Sequence, residues 1–209
     1  NTEAYVRIIV SRGEGAISFG TGAVKTPTLY TVIVQKLDEP TPEKFEQGYA
    51  YQVSDRMRND RRALDPAMKS GNYLNSLLAF IEATETAKGS AKGVSFDDAL
   101  LCNADGHLTE GTTFNIGYVR RGIIATPPLD VGILDGLTRR NLFEVARELG
   151  LPMREARFPK ERLYEADEVF MCSTIKEVMP VTRVDDRVIA GGKPGPVTRK
   201  LAQAFRARA

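Results

Sequence analysis

Hydrophobic and polar positions near the start of the chain predict a β-hairpin. Segments 5–10 and 29–34 are rich in β-branched residues, and a glycine-containing stretch separates them. Two strands cannot cover both faces of a sheet, so we expect the hairpin to belong to a larger unit whose upstream part is missing. Residues 38–42 then carry two prolines and little apolar character, as linkers do. We therefore expect the C-terminal part of a small domain at 1–38, a linker at 39–44 and a large domain at 45–209.

The pattern in the large domain alternates between helical and strand periodicity. Helical spacing of apolar residues extends from about 72 to 86, again from 142 to 149 ahead of Gly150, and in a last helix that starts at Pro196. Short apolar runs bounded by turns predict strands at 99–102, 107–109, 116–119, 123–126 and 168–172. The expected fold is a mixed, largely antiparallel sheet with helices packed on it, which is the α+β class.

Composition and charge exclude several classes of function. The 209 residues are 42% hydrophobic and 27% charged, which is typical of a globular protein. With 29 Lys and Arg against 27 Asp and Glu, the net charge of +2 does not indicate a nucleic-acid partner. One histidine and two cysteines disfavour a metal site and a disulfide framework. No apolar run reaches the roughly 20 residues of a membrane span, so we expect a cytoplasmic protein without membrane contact.

Lys69 and Glu110 are the first candidates for chemistry. Lys69 precedes a small-residue turn and a helix, where an ammonium group can be partly desolvated and serve as a nucleophile. The alternative is the solvated surface position that most lysines occupy. Glu110 ends a strand and is followed by Gly111, so that the backbone can approach a ligand while the carboxylate faces a pocket. A turn carboxylate that accepts local amide hydrogen bonds is the alternative there.

Two further segments offer backbone amides to an anion. In 133–139 a glycine and the Thr138 hydroxyl precede a helix, and the amides at a helix start suit a phosphate. Thr138 can equally be a plain N-cap residue. In 172–178 Ser173 and Thr174 follow a buried strand, and the alternative is a strand-to-helix turn that they cap.

In this order, these segments resemble the class IV aminotransferases, the fold-type IV enzymes that use pyridoxal 5′-phosphate. The resemblance covers essentially the whole chain. Its motifs are Met68-Lys69-Ser70-Gly71-Asn72-Tyr73-Leu74-Asn75, Leu108-Thr109-Glu110-Gly111 with Asn115, Ile133-Leu134-Asp135-Gly136-Leu137-Thr138-Arg139, and the segments 166–170 and 173–181. It implies a large mixed-sheet pseudo-barrel domain, with helices, beside the remnant of a small α+β N-terminal domain.

The resemblance also implies roles for individual residues. Lys69 is expected to hold the cofactor as a Schiff base and to shuttle a proton, and Glu110 to pair with the pyridinium nitrogen. Cofactor contacts are implied for Lys69, Tyr73, Glu110, Leu134, Leu137, Thr138, Ser173 and Thr174. Substrate contacts are implied for Tyr5, Arg7, Thr174 and Ile175.

Within the family, the branched-chain amino acid aminotransferases are the most similar group, because Tyr5-Val6-Arg7 resembles their tyrosine-x-arginine strand. This likeness implies amino-group transfer from a branched-chain L-amino acid to 2-oxoglutarate by a homodimer without a metal. D-amino-acid aminotransferases and aminodeoxychorismate lyases share the cofactor motifs, and both remain alternatives. The hypothesis from another class is a ligand-binding subunit without catalysis.

Overall fold

The computed structural model describes residues 3–89 and 95–208, which form two compact units, Asn1–Glu39 and Pro40–Ala209. The strands are β1 Ala4–Ser11, β2 Leu29–Lys36, β3 Tyr49–Met57, β4 Asp98–Cys102, β5 Leu108–Gly111, β6 Asn115–Arg120, β7 Ile123–Thr126, β8 Met153–Glu155, β9 Glu168–Ser173, β10 Glu177–Val184 and β11 Arg187–Val188. The helices are α1 Pro42–Gln47, α2 Leu74–Gly89, α3 Leu137–Glu148, α4 Glu161–Tyr164 and α5 Pro196–Arg206.

The first unit contains the predicted hairpin. Strands β1 and β2 are antiparallel, with Ala4 opposite Lys36 and Ser11 opposite Leu29. Among residues 3–39, which the structure describes in this unit, none is buried. The hairpin therefore has no core of its own, as expected for two strands alone.

The second unit is built on a nine-stranded sheet in the order β5-β4-β3-β10-β9-β6-β7-β8, with β11 paired to β10. Strand β3 is parallel to β4 and β10, and β7 is parallel to β8, whereas the other pairs are antiparallel. The Leu108 amide donates to the carbonyl of Phe158 (2.8 Å), which links edge strand β5 to the segment just after β8. The sheet thus curls back on itself, and the prediction of an α+β fold with a mixed, largely antiparallel sheet is confirmed.

Hydrophobic packing covers both faces of this sheet. On β9, Val169 and Met171 face the inside of the curled sheet, where they join a cluster with Tyr51. Phe170 and Cys172 face the opposite side and pack with a cluster from α3 and α5. Because successive side chains of a strand point to opposite faces, the apolar run 169–172 of β9 fits only where both faces are covered.

Several sequence predictions of element ends are confirmed. Helix α3 ends at Glu148, and Gly150 follows its C-cap residue. The φ of Gly150 is 68°, in the left-handed region that favours glycine at a helix end. Pro196 is the first residue of α5. Helix α1 occupies residues 42–44 of the expected linker, because Thr41 accepts a hydrogen bond from the Lys44 amide (3.2 Å) and caps it.

Two local interpretations are wrong. Thr138 is not an N-cap, because α3 begins at Leu137 and Gly136 is its capping position. Ser173 and Thr174 do not lead into a helix, because β9 and β10 pair as a hairpin with Ser173 opposite Glu177. Both errors arise because a hydroxyl residue next to a turn resembles a cap in the sequence. Thr138 lies inside α3, Ser173 ends β9, and Thr174 lies in the turn to β10.

Candidate active site

One cavity of the second unit brings together all the residues predicted to contact a cofactor. It offers about 130 Å³ to water-sized molecules. Its lining includes Lys69, Tyr73, Glu110, Leu134, Leu137, Thr138, Ser173 and Thr174. These residues come from the segment before α2, from β5, from the start of α3 and from the end of β9. The curled sheet brings these distant parts of the sequence together. The roles of the individual residues stay predictions.

Glu110 is the most buried carboxyl group of this cavity, with 5% of its surface exposed. Its Oε1 accepts a hydrogen bond from Arg58 Nη2 (2.6 Å) within an ion pair. Its Oε2 accepts from Asn115 Nδ2 (3.1 Å) and from the backbone amide of Leu134 (3.1 Å). Three donors from three other segments therefore fix the orientation of this carboxylate.

Burial raises the pKa of Glu110 from 4.5 to about 7. The positive charge of Arg58, the Leu134 amide and the charge of Lys69 all act in the opposite direction, but they do not offset the desolvation. A carboxyl group with a pKa near neutrality exchanges a proton readily with a basic nitrogen beside it. Such groups cluster at functional sites, so Glu110 is a candidate functional residue of the cavity.

The turn between β5 and β6 holds Glu110 and Asn115 next to each other. Gly111 stands at the turn, and a Cβ there would lie 2.1 Å from the ring of Phe114. The Gly111 amide also donates to the Phe114 carbonyl (2.9 Å). The sequence interpretation that this glycine admits a ligand is therefore wrong, because its missing side chain is replaced by the Phe114 ring.

Arg58 is a residue of the candidate site that no sequence pattern indicates. It follows β3, and its backbone amide donates to the carbonyl of Cys102 (2.8 Å). On either side of it, Asn75 binds the Met57 carbonyl through Nδ2 (2.9 Å) and accepts from the Asn59 amide (3.2 Å). No local pattern marks Arg58, because its partner Glu110 lies 52 residues further along the chain.

The start of α3 presents free backbone amides to the cavity. Gly136 makes no side-chain capping bond, and the first helical hydrogen bond joins the Arg140 amide to the Gly136 carbonyl (2.9 Å). The amides of the first turn accordingly have no partner within the helix, and they lie at the positive end of its dipole. No acidic side chain stands in this turn, so the position suits an anion.

Lys69 and Tyr73 lie in the irregular segment that leads into α2. Lys69 is exposed, so the structure does not show the partial desolvation expected from the sequence, and Tyr73 is 39% exposed. The ammonium group is nevertheless close enough to Glu110 to lower the pKa of that carboxyl. Lys69 is therefore an accessible amine that faces a buried acid.

The predicted substrate residues are divided between the two units. Tyr5 and Arg7 lie on β1 of the first unit. Thr174 lines the cavity described above, and Ile175 is 39% exposed in the turn between β9 and β10. Their roles stay predictions.

Both cysteine side chains are shielded from solvent to a large extent. Burial raises the pKa of Cys172 to about 12 and that of Cys102 to about 11, so both thiols stay protonated near neutral pH. In the ranges 3–89 and 95–208, no group of three or more His, Cys, Asp or Glu side chains is placed to hold a metal ion. No helix in these ranges is long and apolar enough to cross a bilayer.

Comparison with known proteins identifies the family of this chain. Residues 1–184 match the family described as amino-transferase class IV. The chain belongs to this family. A putative branched-chain-amino-acid aminotransferase of Methanocaldococcus jannaschii is 37% identical over 206 residues, which cover 98% of this chain and 67% of that protein. A D-alanine aminotransferase of Bacillus licheniformis is 33% identical over 201 residues, or 96% of this chain and 65% of that protein.

Solved structures of class IV aminotransferases share the fold. The branched-chain amino acid aminotransferase of Escherichia coli has a TM-score of 0.86 at 32% identity, with 98% of this chain and 65% of that chain covered. The T.th. branched-chain amino acid aminotransferase with pyridoxamine 5′-phosphate has a TM-score of 0.84 at 31% identity, with 97% and 64% covered. The chain thus spans about two thirds of the length of these relatives.

Proposed function

We propose that this chain is the large catalytic part of a pyridoxal 5′-phosphate-dependent aminotransferase that acts on branched-chain L-amino acids. The observation that carries the proposal is the buried carboxyl of Glu110 in one cavity with an accessible lysine, Lys69, and the uncapped start of α3. Pyridoxal phosphate would need a carboxylate at its protonated ring nitrogen, an amine for its aldehyde and a positive pole for its phosphate. The cavity contains one of each.

The residues around the cavity fit this cofactor at both ends. The amides at the start of α3 and the Thr138 hydroxyl would hold the phosphate, with Ser173 and Thr174 beside them. Leu134 would pack on the ring face, Leu137 near the phosphate, and Tyr73 near the phenolate oxygen. When bound, the cofactor supplies a ring that withdraws electrons from the carbon attached to the amino group.

Lys69 and Glu110 would divide the proton chemistry between them. The Lys69 Nζ would hold the cofactor and, once released, move a proton to and from Cα of the amino acid. The Glu110 carboxylate would hold a proton on the ring nitrogen. Arg58 and Asn115 would keep that carboxylate oriented, since each already binds one of its oxygens.

The substrates and the assembly are part of the same proposal. Tyr5, Arg7 and the backbone at Thr174 and Ile175 would place the amino acid, with 2-oxoglutarate as the acceptor. The protein would act as a homodimer in the cytoplasm. The relatives named as branched-chain aminotransferases support this substrate class, while the D-alanine aminotransferase relative favours a D-amino acid as the second candidate.

Borohydride reduction of the full-length protein tests the role of Lys69. We expect a visible absorption band that disappears on reduction and a peptide labelled with the cofactor at Lys69. The Lys69→Arg variant should lose the band and the label, while Lys193→Arg, a lysine outside the cavity, should keep both. A label on another lysine would contradict the assignment.

A substrate panel separates the remaining activities. We expect faster amino-group transfer to 2-oxoglutarate from L-leucine and L-valine than from D-alanine, and the reverse order would favour the second candidate. Pyruvate release from aminodeoxychorismate without amino transfer would indicate the lyase. Cofactor binding without exchange on any amino acid would indicate a ligand-binding subunit.

A further inference from the structure

A second cavity, separate from the candidate active site, has five arginines in its lining. It offers about 480 Å³ to water-sized molecules, and we call it the arginine cavity. Its cationic residues are Arg120, Arg121, Arg154, Arg157 and Arg162. None of its lining residues takes part in the cavity around Glu110.

Strand register explains why these side chains converge. Tyr118 on β6 is opposite Ala125 on β7, and Ala125 is opposite Arg154 on β8. Arg120 lies two residues from Tyr118 and therefore projects from the same face of the sheet. Asn115, at the active-site end of β6, is five residues from Arg120, which corresponds to about 17 Å along a strand. The two cavities thus lie at opposite ends of β6.

The positive charge of the arginine cavity is only partly neutralised. Glu165 accepts hydrogen bonds from both Arg120 and Arg162, and Asp130 pairs with Arg157. Among the described residues, the side chains of Arg121 and Arg154 have no ion pair, although the Arg121 amide donates to Asp167 (2.5 Å). Three of the five guanidinium groups are therefore paired, and they share two carboxylates. The other two carry positive charge that a ligand can neutralise.

The position of Arg121 is unusual for an arginine. Arg121 and Gly122 form the turn between β6 and β7, with φ values of 51° and 76°. This left-handed region suits Asn or Gly at the first turn position, and a residue with a long side chain is destabilising there. The turn would be more stable without arginine, while its side chain contributes a charge to the cavity.

We propose that the arginine cavity binds a small molecule with two or more linked phosphate groups. A guanidinium group binds a phosphate through two parallel hydrogen bonds, so several converging arginines match several linked phosphates. The cavity volume is in the range of small-molecule sites. Tyr118 and Phe158, with their ring centroids 4.8 Å apart, also line the cavity, and the arginines supply its charged groups.

Titration calorimetry on the full-length protein loaded with pyridoxal phosphate tests the proposal. Inorganic tripolyphosphate and ATP are the two probes, and a saturable one-to-one isotherm that weakens with salt is expected for at least one of them. Arg154→Gln should weaken binding at least tenfold. Arg187→Gln, an exposed arginine on β11 outside the cavity, should leave it unchanged. Equal affinities for both probes would identify the phosphate chain as the recognised group, and tighter ATP binding would identify a nucleotide.

A second variant separates binding from folding. Arg121→Gly relieves the left-handed strain, so its unfolding temperature should rise while its affinity for the tighter probe falls at least tenfold. No saturable binding by the parent protein would overturn the proposal, as would unchanged affinity in both Arg121→Gly and Arg154→Gln. Tighter binding of a single-stranded oligonucleotide than of either probe would also overturn it, because the surface would then serve a nucleic acid.

Discussion

Glu110 links the chemistry of the cavity to the stability of the protein. Its pKa is about 7 in the folded protein against 4.5 for the free group, so between these values the folded protein holds a proton that the unfolded chain has lost. The stabilising contribution is complete below pH 4.5, declines as the pH rises towards 7 and is lost above it. A difference of this size corresponds to about 3 kcal/mol.

Glu110→Gln should therefore remove most of this pH dependence. Glutamine does not ionise, so the free energy of unfolding of the variant relative to the parent should rise by about 2.5 kcal/mol between pH 5 and pH 8. Urea unfolding of the cofactor-free protein at both pH values measures the difference. Glu161→Gln, at an exposed position, should follow the parent at both. A relative stability that does not change with pH would show that Glu110 is not held protonated.

Arg58 is expected to act through Glu110. Arg58→Met removes the cation that binds this carboxylate, so the pKa of Glu110 should rise further and the pH profile of transamination should shift upward. Loss of a buried pair also costs on the order of 3 kcal/mol of stability. Arg58→Lys should restore the profile in part, because it keeps the charge without the planar fork. Arg61→Met, an exposed neighbour, is the control, and a profile shifted equally by both would contradict this role.

At the scale of elements, the start of α3 requires glycine at position 136, where a side chain would collide with Asn115. A Cβ at residue 136 would lie 2.1 Å from Asn115 Oδ1, and Asn115 Nδ2 binds both Glu110 and the Leu134 carbonyl. Gly136→Ala should displace Asn115, destabilise the protein by about 1–3 kcal/mol and weaken cofactor binding. Thermal unfolding and cofactor titration measure the two effects. Gly22→Ala has open space around it and should change neither, so equal effects would argue against the contact.

The elements also show what the sequence can predict. Strand β9 and helix α3 have continuous or periodic apolar patterns, and both lie where expected. Strand β3, at the centre of the sheet, is missed because polar residues interrupt its pattern. Its Ser54 hydroxyl binds Glu82 Oε2 (3.0 Å), and its Val53 amide binds Asp185 Oδ1 (2.7 Å). These polar groups of the strand are satisfied by partners 28 and 132 residues away, so a local sequence pattern cannot predict the strand.

The candidate site is predictable for a related reason. Lys69, Glu110 and Thr138 each stand in a short motif that a family resemblance can identify one by one, and all three line one cavity. Arg58 stands in no motif, and its role exists only once β3 and β5 lie in the same sheet. The arginine cavity likewise depends on the register of β6, β7 and β8. A residue whose role depends on a contact between distant strands can be identified only from the structure.

At the scale of the whole molecule, every buried residue that the structure describes lies in Pro40–Ala209. The three hydrophobic clusters are complete within this unit, whereas the hairpin of β1 and β2 contributes no buried residue. Residues 40–209 should therefore fold without residues 1–39 and unfold cooperatively, since cooperative unfolding requires a core.

Circular dichroism and urea unfolding of the 40–209 fragment measure this prediction. The matched control removes the same number of residues from the other end, which deletes half of β9 and all of β10 and α5, and it should not fold. A 1–39 peptide should stay unfolded, because an isolated two-stranded hairpin is only marginally stable in water. A 40–209 fragment without a cooperative transition would mean that its clusters do not form a sufficient core. A folded fragment would also provide the arginine cavity and the Glu110 cavity without the first unit, so that each can be titrated separately from the residues of β1.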